Sequence, residues 1–280
     1  MTLARTADLV AAAAERGRGV AAFNVITLEQ AEAVVAAADQ AGRGLILQIS
    51  QNAIAFRRGF APLLAACREL AAAAGQPVSL HADHFDDPGI TTALLARADE
   101  LGLSSLMFDA SRLPYFENLA ATAEVVLSGH RLGLWVEGEL GEVGGKGGAH
   151  TPGVRTDPID AAEFVARSGV DGLAVAVGSS HAMLERTAAL DVGLITRLDA
   201  AVPVPLVLHG SSGVSDEVLS AAVSAGIRKV NIGTALAIAG TARLRQELTD
   251  QPKAVDPRKY LAGVREATTA VAVQLLGVIG

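Results

Sequence analysis

The chain has almost no cysteine and no excess of basic residues. One cysteine among 280 residues excludes a disulfide within the chain, and this usage is typical of a reducing cytoplasm. The 23 lysines and arginines are outnumbered by 30 aspartates and glutamates, which gives a formal net charge of −7. A protein that binds nucleic acid usually carries a basic face, so this balance argues against nucleic acid as a partner.

Long apolar runs are also absent, although half of the residues are hydrophobic. No uninterrupted run reaches the roughly 18 apolar residues that a membrane-spanning helix requires. Residues 1–18 lack the basic, apolar and small-residue segments, in that order, of a signal peptide. We therefore expect a cytoplasmic protein that has no membrane partner.

Short β-rich runs alternate along the chain with longer, alanine-rich helical segments. The eight predicted strands cover residues 20–24, 45–50, 78–82, 105–108, 134–139, 172–177, 206–209 and 229–232. Eight alternations in a chain of this length favour a closed (β/α)8 (TIM) barrel over an open doubly wound sheet. Since no change in composition divides the chain, residues 1–280 are predicted to form a single domain, with residues 257–276 as a C-terminal helical extension.

Three of the six histidines lie where a predicted strand gives way to a polar or glycine-rich turn. His84 follows the third strand, His181 follows the sixth, and His209 ends the seventh. The carboxyl ends of barrel strands meet at one mouth, so these imidazoles are expected to lie together. One such histidine alone would be more typical of a satisfied loop residue, whereas three of them predict a catalytic zinc site with one open position.

Asp83 precedes the first of these histidines, and its carboxylate would lie beside a zinc-bound oxygen. A carboxylate in that place is suited to proton transfer. The alternative is a helix cap or a salt bridge within the turn that also contains Asp86 and Asp87.

Two segments have the composition of a phosphate pocket. They are Gly210-Ser211-Ser212-Gly213 after the seventh strand and Asn231-Ile232-Gly233-Thr234 at the end of the eighth. Their small residues let backbone N–H groups approach an anion, and the hydroxyls of Ser212 and Thr234 add donors. Loops after strands seven and eight often bind phosphate in barrels of this kind.

Several motifs, in the same order, resemble the class II, zinc-dependent fructose-bisphosphate aldolases, in particular the shorter group that includes the tagatose-bisphosphate aldolases. The motifs that carry the resemblance are Ala22-Phe23-Asn24-Val25, His81-Ala82-Asp83-His84, Met107-Phe108-Asp109-Ala110-Ser111, Val136-Glu137-Gly138-Glu139-Leu140-Gly141, Gly178-Ser179-Ser180-His181, Val207-Leu208-His209-Gly210-Ser211-Ser212, Lys229-Val230-Asn231-Ile232-Gly233-Thr234 and Asp256-Pro257-Arg258. The resemblance extends over nearly the whole chain and is specific for the family, but not for the substrate.

The resemblance implies reversible cleavage of a ketose 1,6-bisphosphate, by default fructose 1,6-bisphosphate, to dihydroxyacetone phosphate and an aldehyde phosphate through a zinc-stabilised enediolate. His84, His181 and His209 match the zinc ligands of the family. Asp83 matches the acid that protonates the aldehyde oxygen in condensation and accepts that proton in cleavage. Asp109 and Glu139 match acidic positions that hold a displaced or second metal, or that orient the histidines through hydrogen bonds.

The resemblance also implies the substrate contacts. Asn24 and the segments from Gly210 to Ser212 and from Asn231 to Thr234 match the pocket for dihydroxyacetone phosphate. Ser50 matches a serine that contacts the aldehyde-side phosphate in some members. Arg258 matches an arginine for the distal phosphate that some members receive from a neighbouring subunit, so we expect a homodimer or homotetramer.

The chain departs from the family in two places. Relatives carry acids in the glycine-rich loop after the fifth strand, and one of these acids moves the proton at the nucleophilic carbon. Here Glu142 and His150 are the nearest substitutes in residues 141–153, a predicted lid. After His181, Ala182 stands in place of a glycine whose backbone meets the phosphate or a monovalent cation, and its carbonyl is still available for that cation.

Other interpretations stay open at this point. The same site would suit tagatose 1,6-bisphosphate, a phosphorylated deoxy-keto acid, or a phosphosugar-binding relative with impaired turnover. A zinc hydrolase is disfavoured, because Phe23-Asn24 stands where a His-x-His pair is usual. Aldolases with a Schiff-base lysine are disfavoured too, since none of Lys146, Lys229, Lys253 and Lys259 lies at the exit of a predicted strand, and Lys229 is predicted at the entry of the eighth.

We predict that replacing Glu142 with Gln and His150 with Ala together lowers kcat for aldol cleavage, because these are the nearest groups that can carry the second proton. Steady-state kinetics of the double variant, with Glu185→Gln as a control outside the loop, measure the effect. A double variant with the kcat of the parent protein would refute the assignment of the proton carrier to this loop.

Overall fold

Residues 3–141, 154–180, 183 and 185–280 are described by the structure, a computed structural model. Eight parallel strands hydrogen-bond in sequence order, and the last pairs with the first to close a barrel. The strands are β1 Val20–Asn24, β2 Leu45–Ser50, β3 Val78–Phe85, β4 Ser105–Phe108, β5 Trp135–Leu140, β6 Gly172–Val175, β7 Leu206–Leu208 and β8 Ile227–Ile232. The predicted (β/α)8 barrel is confirmed.

The described helices surround this barrel. They are α1 Thr6–Glu15, α2 Leu28–Ala41, α3 Gln51–Arg57, α4 Ala61–Ala73, α5 Pro88–Leu95, α6 Ala98–Leu101, α7 Tyr115–Arg131, α8 Pro158–Ser168, α9 Val192–Ala201, α10 Asp216–Ala225, α11 Thr234–Asp250 and α12 Pro257–Ile279, with a short 3-10 helix at Ser211–Gly213. Capping residues fix several starts: Thr27 accepts from the Gln30 N–H in a capping box, and Asp157 and Ser215 cap α8 and α10.

The amino-terminal end of the barrel is covered by α1. The Thr6 hydroxyl lies 3.0 Å from the Ser79 hydroxyl and 2.6 Å from the Ser105 hydroxyl, both inside the barrel. Val10 and Ala13 of α1 pack against an apolar layer formed by Val20, Ala22 and Ile46. This end of the barrel is therefore closed by packing, and the open mouth lies at the carboxyl ends of the strands.

The next interior layer is built around Trp135 of β5. It packs with Met107, Ala174 and Val207 from the neighbouring strands. A Cβ atom at Gly172 would lie 2.4 Å from the indole ring, so a glycine is required at this position of β6. Since alternate residues of a strand share a face, Glu137 and Glu139 follow Trp135 toward the mouth, and the interior becomes polar in that direction.

The observed strand limits correct four sequence predictions. β3 extends to Phe85, so His84 lies within this strand and does not follow it. β8 begins at Ile227, so Lys229 is its third residue and not its entry. β6 ends at Val175, two residues earlier than predicted, and β7 ends at Leu208, which leaves His209 as the first residue after the strand.

Several helices differ from the predicted pattern. Besides one helix between successive strands, α1 precedes β1, two helices follow each of β2 and β3, and α11 precedes the C-terminal extension. The C-terminal extension is the single helix α12. By length and composition α12 is the one helix of the described chain that is apolar enough to cross a membrane, but core helices share this property. Ala272, Leu275 and Leu276 of α12 are buried in the main hydrophobic core.

Candidate active site

A cavity of about 590 Å³ opens at the carboxyl ends of the strands. Its lining comes mainly from the ends of β1, β2, β3, β7 and β8 and from the residues that follow them. The lining residues are Asn24, Ile26, Gln30, Ser50, Gln51, Asn52, Asp83, His84, Asp86, Asp109, Arg112, His209, Gly210, Ser211, Ser212, Asn231, Gly233, Thr234 and Ala237. Most of the residues that the sequence indicated are therefore brought together in one place.

An irregularity in β3 directs two adjacent side chains into this cavity. Neighbouring residues of a regular strand point to opposite faces, yet both Asp83 and His84 line the cavity. The register between β3 and β4 shifts between Ala82 and Phe85, and His84 has a φ of +51°, which is uncommon for a residue with a side chain. The bulge thus places a carboxylate and an imidazole side by side.

The imidazoles of His84 and His209 face each other. His84 Nε2 lies 2.8 Å from His209 Nδ1, and the ring planes are inclined by 74°. The other nitrogen of each ring is directed at a carboxylate: His84 Nδ1 lies 2.9 Å from Asp109 Oδ2, and His209 Nε2 lies 2.7 Å from Glu137 Oε1. Carboxylates accept these N–H groups, so the facing nitrogens of the neutral rings carry lone pairs.

These facing lone pairs match the requirements of a metal ion. Burial, followed by the positive charge that His84 would carry, lowers the pKa of His209 to about 4, so His209 is neutral near pH 7. Two neutral imidazole nitrogens that face each other form a donor set for a divalent cation such as zinc. Ligand atoms of Asp83, His84 and His209 lie within 4.8 Å of one another, as do those of His84, Asp109 and Glu139.

Asp83 is held ionised beside the two histidines. Burial by itself would raise the pKa of Asp83, but His84, His209, His81 and Lys229 outweigh burial and hold the pKa below its usual range. Asn24 Nδ2 donates to Asp83 Oδ2 at 2.8 Å. Asp83 Oδ1 lies 3.9 Å from His84 Nε2, so an ionised carboxylate lies beside the imidazole nitrogen that faces His209.

Backbone geometry brings together the two segments that the sequence predicts to bind phosphate. Gly210 has a φ of +66°, and a Cβ atom there would lie 2.6 Å from the carbonyl of Ser180, so glycine is required at this turn. Ser212 Oγ accepts from the Ala235 N–H at 3.0 Å, which joins this turn to the first turn of α11. The amino terminus of α11 begins at Thr234 in the cavity lining, and a helix amino terminus attracts phosphate.

Four predicted residues need individual comment. Ser50 lines the cavity, and its hydroxyl also caps α3 by accepting from the Ala53 N–H. Ile232 is the last residue of β8 and is buried in the hydrophobic core, outside the cavity lining. Arg258, in the first turn of α12, is 90% exposed and pairs with Asp256, also outside the lining. Glu139 is buried, and the carbonyl of its backbone accepts from Asn118 Nδ2 at 2.9 Å.

Some predicted residues lie outside the described part of the chain. They are the zinc ligand His181, the proton carriers Glu142 and His150, and Ala182 at the expected monovalent-cation position. These assignments stay predictions from the sequence.

Three residues of the site were missed by sequence reasoning. Glu137 contacts His209, and the signal for it was its spacing of two residues from Glu139, which places both on the inner face of β5. Lys229 is buried and pairs with Glu137, but the predicted start of β8 hid its position. Arg112 is the only lysine or arginine among the described residues of the cavity lining, and it lies in the motif region just after Asp109.

Comparisons with known proteins agree with this architecture. A family model described as class-II fructose-bisphosphate aldolase matches residues 4–280. The YdjI aldolase of Escherichia coli K12 is similar, with 33% sequence identity and a TM-score of 0.85 over 100% of this chain and 98% of that one. A Coccidioides immitis protein, solved as a candidate fructose-1,6-bisphosphate aldolase, has 27% identity and a TM-score of 0.87 over 98% and 96%. Fructose-bisphosphate aldolase of Campylobacter jejuni shares the fold, at 23% identity and a TM-score of 0.85 over 99% and 95%.

We predict that His209→Ala weakens Zn²⁺ binding by more than about 100-fold, because losing a direct ligand should cost more than the roughly 10–100-fold typical of losing a residue that only orients one. Competition of the metal-free protein with a chromophoric chelator measures the dissociation constant. The matched control is His130→Ala, since His130 pairs with Asp171 at the end of α7, away from the cavity. Equal Zn²⁺ affinity of the two variants would contradict the assignment of the site.

Proposed function

The chain belongs to the class II fructose-bisphosphate aldolase family and is thus an aldolase, a carbon–carbon lyase, and on this premise we propose that its substrate is a ketose 1,6-bisphosphate. Fructose 1,6-bisphosphate is the default substrate, and the products are dihydroxyacetone phosphate and an aldehyde phosphate. One observation carries the proposal: the facing nitrogens of His84 and His209 lie beside the Asp83 carboxylate in a cavity that also contains the amino terminus of α11.

The metal in the proposal is zinc, held by His84 and His209 and, from the sequence, by His181. Bound there, zinc supplies a Lewis acid that polarises the C2 carbonyl of the ketose and stabilises the negative charge that develops as the C3–C4 bond breaks. The carboxylates of Asp109 and Glu137 keep the ligand imidazoles in the tautomer that directs a lone pair at the metal.

Asp83 carries the first proton in this scheme. In cleavage, its ionised carboxylate accepts the proton of the C4 hydroxyl as the C3–C4 bond breaks, and in condensation it returns that proton to the aldehyde oxygen. Asn24, which donates to Asp83, is itself held by Gln48, whose Nε2 donates to Asn24 Oδ1 at 3.0 Å. The second proton, at the nucleophilic carbon, is assigned to Glu142 or His150 as the sequence indicated.

The two phosphates of the substrate would bind at opposite sides of the cavity. The phosphate on C1 is expected at the amino terminus of α11, beside Gly210, Ser211, Ser212 and Gly233. For the distal phosphate we propose Arg112, because a guanidinium matches a phosphate in charge and geometry. Ser50 lines the cavity as well and is available to the distal phosphate. Arg258 would reach a distal phosphate only in the cavity of a neighbouring subunit.

The proposal extends to the compartment, the oligomeric state and the ligands of the enzyme. We propose a cytoplasmic homodimer or homotetramer with small phosphosugars as its ligands. A single cysteine is typical of a reducing compartment. Burial raises the pKa of the Cys67 thiol to about 12, so this thiol is an unreactive core residue. Tagatose 1,6-bisphosphate or a phosphorylated deoxy-keto acid would require the same metal, acid and C1 phosphate contacts, and would differ at C4 and at the distal end.

We expect the purified protein to cleave fructose or tagatose 1,6-bisphosphate, and the activity to disappear when a chelator removes the metal and to return with added Zn²⁺. The reason is that the proposed mechanism assigns the stabilisation of the charge on the C2 oxygen to the metal. Triose phosphate release, followed with a coupled dehydrogenase, measures cleavage of each sugar. Cleavage that persists after complete removal of metal would overturn the metal mechanism, and metal binding without cleavage of any ketose phosphate would indicate a binding protein.

We expect Arg112→Met to raise KM for the bisphosphate by about 10- to 100-fold, the equivalent of one lost charge-assisted hydrogen bond or two. The matching ketose 1-phosphate, which lacks the distal phosphate, should lose little. Arg97→Met is the control, since Arg97 pairs with Glu100 on the surface. If Arg258→Met instead raises KM selectively for the bisphosphate while Arg112→Met does not, the distal phosphate is bound across a subunit interface.

A further inference from the structure

Lys229 is the one lysine or arginine that is buried among the residues that the structure describes, and the proposed mechanism gives it no role. Its side chain is 0% exposed, in the middle of β8. The ammonium donates to Glu137 Oε2 at 2.9 Å and to Asn231 Oδ1 at 2.6 Å. It therefore joins a residue of β5 on the opposite side of the barrel to a residue of its own strand.

The first contact leads to a metal ligand. Lys229 binds one oxygen of the Glu137 carboxylate, so the other oxygen, Oε1, is directed at His209 Nε2, 2.7 Å away. That contact fixes the orientation of the His209 ring, and His209 Nδ1 is thereby directed at His84 Nε2. The position of the ammonium thus fixes the orientation of a ligand that it does not contact.

The second contact leads to the proton-transfer residue. An ammonium only donates, so of the two ends of the Asn231 amide it can bind only Oδ1. The amide is thereby oriented with Nδ2 toward Asp83 Oδ1 and toward His209 Nδ1, at 3.3 Å from each. A flipped amide would present an oxygen to the Asp83 carboxylate and repel it.

We propose that Lys229 is a positioning residue that orients the metal ligand His209, through Glu137, and the carboxylate Asp83, through Asn231, at the same time. The inference rests on the proposed function of these two residues. A buried ion pair is seldom the most stable filling of a core, since apolar residues of similar volume often do as well or better. The presence of a lysine at this position is therefore explained better by its hydrogen bonds to Glu137 and Asn231 than by a contribution to the stability of the fold.

The location of Lys229 also separates this role from covalent catalysis. A Schiff-base lysine has to present its amine to the substrate carbonyl. The Lys229 ammonium is fully buried and donates to Glu137 and to Asn231, and Asn231 lies between it and the cavity as the next inward residue of β8. Lys229 acts on the reaction through the groups that it holds.

The test compares Lys229→Met, which keeps the length of the side chain and removes its charge, with Glu137→Gln. Lys229→Met should weaken Zn²⁺ binding by about 10- to 100-fold, as expected for a residue that orients a ligand. It should also lower kcat at saturating Zn²⁺, with a smaller change in KM, because Asp83 is affected too. Glu137→Gln should weaken Zn²⁺ binding while most of kcat returns at saturating Zn²⁺, since the contact to Asn231 is intact.

The control for a general defect of the barrel interior is Ser105→Ala, which removes buried bonds to His81 and Thr6. It should lower the free energy of unfolding without changing Zn²⁺ affinity. The affinities come from chelator competition, the kinetic constants from triose phosphate release, and the unfolding free energies from urea titration of metal-free protein.

Two results would overturn the proposal: unchanged Zn²⁺ affinity in Lys229→Met, or full kcat in that variant once Zn²⁺ saturates it. If Lys229→Met does not fold, the double variant Lys229→Met/Glu137→Leu removes both charges, and Zn²⁺ affinity equal to that of the parent protein would overturn the proposal in the same way. If the parent protein binds Zn²⁺ but cleaves no ketose phosphate, the proposed function fails, while the Zn²⁺ affinity of Lys229→Met still tests the orientation of His209.

Discussion

The ion pair between Lys229 and Glu137 is buried, so the residues around it in the barrel have to supply its hydrogen-bond partners. Neither side chain reaches water, and removing two charges from water costs several kcal/mol for each ion unless hydrogen bonds replace the lost hydration. The replacement comes from Asn231 and His209, which complete the contacts of the pair. With these contacts, Lys229 outweighs the effect of burial and lowers the pKa of Glu137 to about 2, so the carboxylate is charged. The mouth of the barrel is consequently a network in which the polar groups depend on one another.

The fold can accommodate this network because the regions that stabilise the barrel by apolar packing are separate from the polar carboxyl end. Toward the amino-terminal end, apolar residues from the strands pack on α1, and the outward faces of the strands pack on the surrounding helices. These regions supply the hydrophobic stabilisation. The carboxyl end is then able to hold groups such as His84 at an unusual φ and a register shift in β3. The buried charges of Asp83, Glu137 and Lys229 and the unusual backbone of His84 lie where the chemistry is proposed.

Much of this was accessible from the sequence. Strands that are buried on both faces appear as continuous apolar runs, so the eight strands and the barrel were predicted, and the ends of these runs pointed to His84, His209 and the phosphate segments. The spacing of Glu137 from Glu139 pointed to the inner face of β5, but its contact with His209 was not accessible, because that contact arises only when the barrel closes and brings β5 and β7 together on either side of β6. Lys229 was misjudged because the predicted start of β8 was two residues late. The bulge at His84 depends on the register with β4, a tertiary feature that local pattern does not encode.

The layer beneath this network has a practical consequence. Trp135 is the only tryptophan of the sequence, and it lies on the inner face of β5, two residues before Glu137 and against Val207, two residues before His209. The chain therefore carries a single indole in the interior of the barrel, with Gly172 leaving room for its ring. Excited at wavelengths that Tyr115 of α7 and Tyr260 of α12 do not absorb, this indole reports on the barrel interior without an added label.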